Sequence, residues 1–171
     1  GRTEPSIFIF PYGILVNRDG ERFADEAPGT VDATYERITR RIPFQPGGIA
    51  YVILDASVRD IENYKVAIRT EQPAVEAASL AELAGKLGIP AEGLLNTVSA
   101  FNSACPAPRG FDPLRLDGLR TSGLAIPKSN WSRRIEKAPF LAYPMVSANV
   151  FTFGGLKIDA HARVLDNDGD P

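Results

Sequence analysis

The chain has 171 residues, 44% hydrophobic and 23% charged, with a formal net charge of −2. That is enough apolar material for one domain with its own core, and the faintly acidic balance excludes a nucleic-acid surface, which needs a basic excess. No apolar run approaches the roughly 18 residues of a membrane helix, and the single cysteine, Cys105, excludes an internal disulfide and fits a reducing, cytoplasmic setting.

Gly1-Arg2-Thr3-Glu4 starts as if inside a loop, and Asp170-Pro171 stops on a turn whose return strand is missing. The expectation is therefore a single domain, residues 1–171, excised from a longer protein. Ile7 to Phe10 is a strand candidate that Pro11 interrupts. Ile14 to Val16, the turn Asn17-Arg18-Asp19-Gly20 and a short run through Phe23 predict a β-hairpin, because Asp-Gly tolerates the positive φ of tight turns. After Pro28-Gly29, Thr30 or Asp32 can cap a helix that Pro43 stops near Ile42. Val31, Tyr35, Ile38 and Ile42 recur at helical spacing and predict its buried stripe, with Arg37, Arg40 and Arg41 on the opposite side.

Ile49 to Leu54 is a short continuous apolar run and reads as a buried strand. Asp55 to Arg69 has partial helical character. Ser79-Leu80-Ala81-Glu82 is a capping-box pattern opening a helix that ends near Gly88, and Pro90 suits the first turn of the next, whose apolar face is Leu94, Leu95, Val98 and Phe101. From Cys105 to Lys137, prolines and glycines break every period, and Trp131 has packing as its default role. Leu141 to Thr152 reads as extended chain leading into Gly154-Gly155. The predicted class is α+β: a small, mostly antiparallel sheet with three or more helices packed on it. Its predicted core holds Ile14, Val16, Ile38, Ile42, Val52, Leu54, Leu80, Leu83, Leu95, Val98, Phe101 and Val164.

Few residues can carry chemistry. Gly154-Gly155 is either a simple turn or a point of close approach for a ligand. Arg37, Arg40 and Arg41 form either a solvated helix face or an anion clamp, since guanidinium forks match carboxylates at two points. His161, the only histidine, and Cys105 lie far apart in sequence and supply neither a metal site nor a nucleophilic pair. No strand-GxGxxG-helix unit occurs, so a dinucleotide would be held mainly by residues outside this chain.

Three stretches together carry a family resemblance: Gly13 to Glu26 (GILVNRDGERFADE), Leu80 to Asn102 (LAELAGKLGIPAEGLLNTVSAFN), and Thr152 to Pro171 (TFGGLKID, then ARVLDNDGDP). They resemble the fumarate reductase/succinate dehydrogenase flavoprotein family, which includes the 3-ketosteroid Δ1-dehydrogenases. DEAPGTVDATYERITRRI, PKSNW and PFLAYPMVSANVFTFGG look closest to its tricarballylate dehydrogenases. The resemblance implies a substrate-capping domain, inserted in those proteins into an FAD-binding domain, and an electron acceptor for the reduced flavin. It implies dehydrogenation of a di- or tricarboxylate, with tricarballylate to cis-aconitate as the leading expectation. On it rest Arg37 and Tyr35 as catalytic candidates, Thr30, Arg40, Arg41, Asn149, Phe151 and Thr152 as the substrate wall, and Gly154 and Gly155 beside the cofactor. Two positions depart from the fumarate reductases: Thr30 stands where they have a proton-donating arginine, and Phe151 where they have a substrate-binding histidine. An uncharged ring substrate, as in the ketosteroid enzymes, and a non-catalytic binding module are the alternatives.

Lacking a glycine-rich phosphate cradle, the isolated chain is expected to leave the fluorescence of added FAD unquenched. A submicromolar dissociation constant in that titration would refute the expectation.

Overall fold

The computed structural model describes residues 5–107, 109–148 and 154–171. Its elements in chain order are β1 (Ser6–Ile7), β2 (Ile14–Val16), α1 (Val31–Thr39), β3 (Ile49–Leu54), β4 (Ile68–Arg69), β5 (Val75–Ala77), α2 (Leu80–Leu87), α3 (Ala91–Ala104) and β6 (Phe140–Val146). Strands β2-β3-β6-β5 form one antiparallel sheet in that order, and β1 pairs with β4 in a small second one. The mixed helix-and-strand class with small antiparallel sheets is as expected.

Successive side chains of a strand point to opposite faces, and here both faces are covered. Ile14, Val16, Tyr51, Ile53, Phe140 and Ala142 pack with Leu83, Leu94, Val98 and Phe101 of α2 and α3. Leu15, Val52, Leu54 and Leu141 point the other way, into a second core with Ile9, Phe10, Ile38, Val58 and Ile61. Burial on both sides is why Ile49 to Leu54 is apolar without alternation. The helices on the first face follow their sequence signals. Ser79 Oγ accepts from Glu82 N at 3.1 Å, and Glu82 reaches back to Ala78 N at 2.9 Å. The ambiguous stretch after Asp55 is two 3-10 segments, Ala56–Asp60 and Tyr64–Ala67.

Three expectations change. The turn after β2 forms, with Asn17 Oδ1 accepting from Asp19 N and Glu21 N, but its return arm is one isolated bridge, Val16 to Arg22. The strand partner of β2 is β3. Apolar residues nearby in sequence pointed to a hairpin, yet the longer run at Ile49 to Leu54 offers more buried pairing. On α1 the residues turned inward are Thr34 and Ile38, while Tyr35 is 39% exposed. Thr34 fits there because its hydroxyl donates to Thr30 O at 2.9 Å, which satisfies it at the start of its own helix, and its methyl lies beside Gly29. Leu95 and Val164 are exposed rather than core residues. Leu95 sits on the outer side of α3, and Val164 belongs to a short turn structure closed by the Ile158–Val164 bridge.

The segment between Cys105 and Lys137 is a strap held by side chains in place of regular structure. Asn102 exchanges two hydrogen bonds with Ile135, and Asp55 accepts from Glu136 N and Lys137 N. Buried Trp131 donates from Nε1 to Asp112 O and Arg115 O and lies edge-on to Tyr12.

The turn after β2 docks directly on α3. A Cβ on Gly93 would lie 2.1 Å from Asp19 O, and one on Gly20 would lie 2.5 Å from Leu94 N. Gly85 of α2, by contrast, has nothing within 4 Å of where its Cβ would be. Gly93→Ala is expected to destabilise the fold by about 1–3 kcal/mol by overpacking, and Gly85→Ala to stabilise it by about 0.5–1 kcal/mol through helix propensity. Thermal or urea melts of the two variants check both signs.

Candidate functional site

The loop from Arg22 to Thr30 leads into α1 and is fixed from below by a buried set of charges. Arg22 and Glu26 form a two-point pair: Nε donates to Oε1 at 2.9 Å and Nη2 to Oε2 at 2.6 Å, with side chains 7% and 0% exposed. Glu26 Oε1 also accepts from Leu15 N at 2.9 Å, on the edge of β2 not paired with β3. The remaining Arg22 donors go to Ile126 O and Ala24 O, and the guanidinium lies 5.3 Å from the centre of the Phe101 ring. Fully buried Lys128 donates to Pro11 O at 2.7 Å and to Gly13 O. Burial lowers the Lys128 amine to about 8 against the opposing pull of Glu26, which leaves it protonated near neutrality.

A second clamp ties the same loop to the strap. Asp25 accepts from Ala27 N at 3.0 Å, Ser129 N at 3.1 Å and Ser129 Oγ at 2.5 Å. Asn130 donates to Ala27 O and accepts from Gly118 N. The start of α1 is thereby held rigidly.

Thr30 is the residue before α1; it is exposed, and its side chain makes no capping bond. Positions 30, 34, 37 and 41 are spaced by three and four and share one side of the helix. Thr34 turns inward, which leaves Thr30, Arg37 and Arg41 along one ridge. Arg41 donates to Phe23 O at 3.1 Å, placing that ridge beside the clamped loop. Arg37 is exposed and has no hydrogen-bond or ion-pair partner among the described residues. Arg40 points elsewhere and is neutralised by Glu36 at 2.6 Å.

Tyr35 and Arg37 are not brought together. Two positions apart on a helix is a rotation of about 200°, and Tyr35 rests against Phe8 on the other flank. Asn149, Phe151 and Thr152 lie outside the described residues. The chain approaching them passes the last turn of α1, where Ser147 Oγ donates to Thr39 O at 2.5 Å. His161 is exposed, with its backbone N–H bound to Asp159, and burial pushes the half-buried Cys105 thiol up to about 11. Neither offers a nucleophile, and the described residues hold no cluster suited to a metal ion. Glu26, Lys128, Asp25 and Ser129 were missed at the level of sequence. The one available signal was the four-residue spacing of Arg22 and Glu26, since a lysine in a proline-rich strap has no periodicity to place it.

The described residues do not by themselves fit FAD. They contain no strand, glycine-rich turn and helix in succession; Gly154 and Gly155 are exposed, and a Cβ on either would meet no described atom of this chain within 4 Å. No helix among them is long and apolar enough to cross a membrane.

Comparison with known proteins gives this geometry a context. The family model for the FAD binding domain matches residues 5–171. The chain is 35% identical to the NADH:acrylate oxidoreductase of Vibrio harveyi, over 97% of this chain and 15% of that protein. It is 33% identical to the 4-oxocyclohexanecarboxylate 2-dehydrogenase of Sinomonas cyclohexanicum, over 94% of this chain and 30% of the relative. The chain thus spans less than a third of the length of these two relatives. Among solved structures it resembles the open conformation of a flavocytochrome c3 fumarate reductase, with a TM-score of 0.66 and 23% identity over 97% of this chain and 26% of the other. A 3-ketosteroid Δ1-dehydrogenase from Sterolibacterium denitrificans matches with a TM-score of 0.57 and 25% identity, over 98% of this chain and 35% of that one.

Removing the Glu26 charge leaves buried Arg22 without its counter-ion and takes from Lys128 the strongest of its opposing charges. Glu26→Gln is expected to cost about 3–5 kcal/mol of folding stability, whereas Glu36→Gln, in the exposed pair with Arg40, should cost under about 1 kcal/mol. Denaturant titration of both variants measures the difference, and equal small losses would show that the buried pair is not a keystone.

Proposed function

The chain belongs to the FAD binding domain family of flavoproteins, and from that premise we propose that it is the substrate-capping domain of an FAD-dependent oxidoreductase acting on a CH–CH bond of a small carboxylate. Family membership points to FAD as the cofactor, supplied with its main contacts by other parts of the protein. The observation carrying the reading is the α1 ridge, where Arg37 and Thr30, whose side chains have no partner among the described residues, share a side with the remaining donors of Arg41.

A carboxylate held by Arg37 and Arg41 would have its charge matched by two planar forks. Oxidation of the CH–CH bond removes a proton, which a base of the full-length protein would take, and a hydride, which would pass to FAD. Negative charge building on the carboxylate oxygens as the proton leaves is stabilised by cations fixed in advance. Thr30 orients the substrate, with Asn149 and Thr152 as further polar contacts and Phe151 excluding water. The substrate we propose is tricarballylate, oxidised to cis-aconitate. The names of two relatives specify carboxylate chemistry, acrylate and 4-oxocyclohexanecarboxylate, which supports the anionic class.

The test is anaerobic mixing of the full-length flavoprotein with tricarballylate, following flavin absorbance. Bleaching is expected, slowed roughly 10- to 100-fold in Arg37→Ala and in Arg41→Ala, because charge-assisted hydrogen bonds contribute about 1.5–3 kcal/mol each. Arg40→Ala should bleach at the parental rate. No bleaching with tricarballylate refutes the substrate, and acrylate, fumarate and a 3-oxosteroid run alongside would identify the replacement. Parental rates in both Arg37→Ala and Arg41→Ala refute the ridge.

A further inference from the structure

A cleft of about 400 Å³ opens on the same face of the main sheet as α1, but over its other half, between β6 and the segment from Val58 to Ala74. Its floor is apolar: Leu54, Val58 and Leu141, all nearly inaccessible, are part of the second core. The polar groups around that floor are unusually one-sided. Tyr64 and Tyr143 line it, and neither phenol has a hydrogen-bond partner among the described residues. Lys65 lines it without an ion-pair partner among them. Arg59 stands at the rim, 2.9 Å from Glu76, the one acidic side chain of the cleft. Glu76 is thus neutralised where it stands.

We propose that this cleft is a second binding site, separate from the α1 ridge, for a small ring-bearing monocarboxylate. The argument is a balance of donors and acceptors. Two phenols and the Lys65 ammonium can donate there, and because Arg59 and Glu76 neutralise each other, the lining carries one net positive charge, that of Lys65. A ligand that satisfies the set must bring acceptors and negative charge, which a carboxylate does. The floor asks for an apolar body, which a bare inorganic anion lacks, and its volume falls in the range of small-molecule sites. Burial, followed by the nearby Tyr64 and Glu76, raises the Tyr143 phenol above its ordinary value, so it keeps its proton and remains a donor. The site does not depend on the proposed reaction, since none of its residues lies on α1.

The experiment is calorimetric titration of the full-length, FAD-loaded protein with cyclohexanecarboxylate, in parent and variants. Saturable binding is expected in the parent, unchanged in Arg37→Ala, weakened at least about tenfold in Lys65→Glu, and abolished in Ala74→Trp, which fills the cleft. Lys65 is exposed, so Lys65→Glu tests the site even if Ala74→Trp fails to fold. Absence of saturable binding overturns the proposal. So does binding that Arg37→Ala removes, or that persists unchanged in both cleft variants. Loss in Ala74→Trp with full retention in Lys65→Glu overturns the carboxylate as the recognised group.

Discussion

Glu26 is the buried charge on which the loop before α1 depends. Its carboxylate satisfies the outer edge of β2 at Leu15, holds Arg22 in a two-point pair, and faces the buried amine of Lys128. A strand edge is a row of unpaired donors and acceptors, and an inward carboxylate is one way to close it. Arg22 carries the connection across to Ile126 and Phe101, and Lys128 carries it to Pro11 and Gly13. Three segments distant in sequence therefore meet at one point, where Asp25 supplies the second negative charge that Arg22 and Lys128 together require. Without their partners these ions would be far more costly to bury than to leave in water.

That point governs the candidate site by geometry. The loop it fixes ends at Thr30, where α1 begins, so the direction of α1 and of its exposed ridge follows from a network lying wholly beneath it. Asp25 and Ser129 add a second attachment only a few residues from the helix start. Side chains that bind flexible substrates act best from a rigid base, because each ordered rotamer otherwise costs affinity. Arg37, Arg40 and Arg41 all stand on such a base, but Arg40 is paired with Glu36.

Much of the scaffold was legible in the sequence because local physics decides it. The capping box at Ser79 and Glu82 and the unbroken apolar run from Ile49 to Leu54 each have a single reasonable reading. The inner side of α1 was misread because Thr34 counts as polar in a pattern but can satisfy its hydroxyl within its own turn. The hairpin turn forms with a single bridge, Val16 to Arg22, while the longer pairing of β2, with β3 some 35 residues on, leaves no local mark. The strap was opaque for the same reason: what orders it is a set of side-chain bonds to distant backbone, as at Asp55, Asn102 and Asp25. The free guanidinium of Arg37 could be suspected from spacing, but only packing separates it from Arg40.

The sheet order has a consequence for how this chain reaches its native state. The strand between β3 and β5 is β6, which enters from residues 140–146, long after both neighbours. Until β6 arrives, β3 and β5 each present an open edge, and the two cores share no finished wall. Contacts of such long sequence separation slow folding, and exposed edges in the interval invite pairing between molecules. During synthesis β3 and β5 must therefore wait for the strand that joins them, and chaperone demand should peak in that interval.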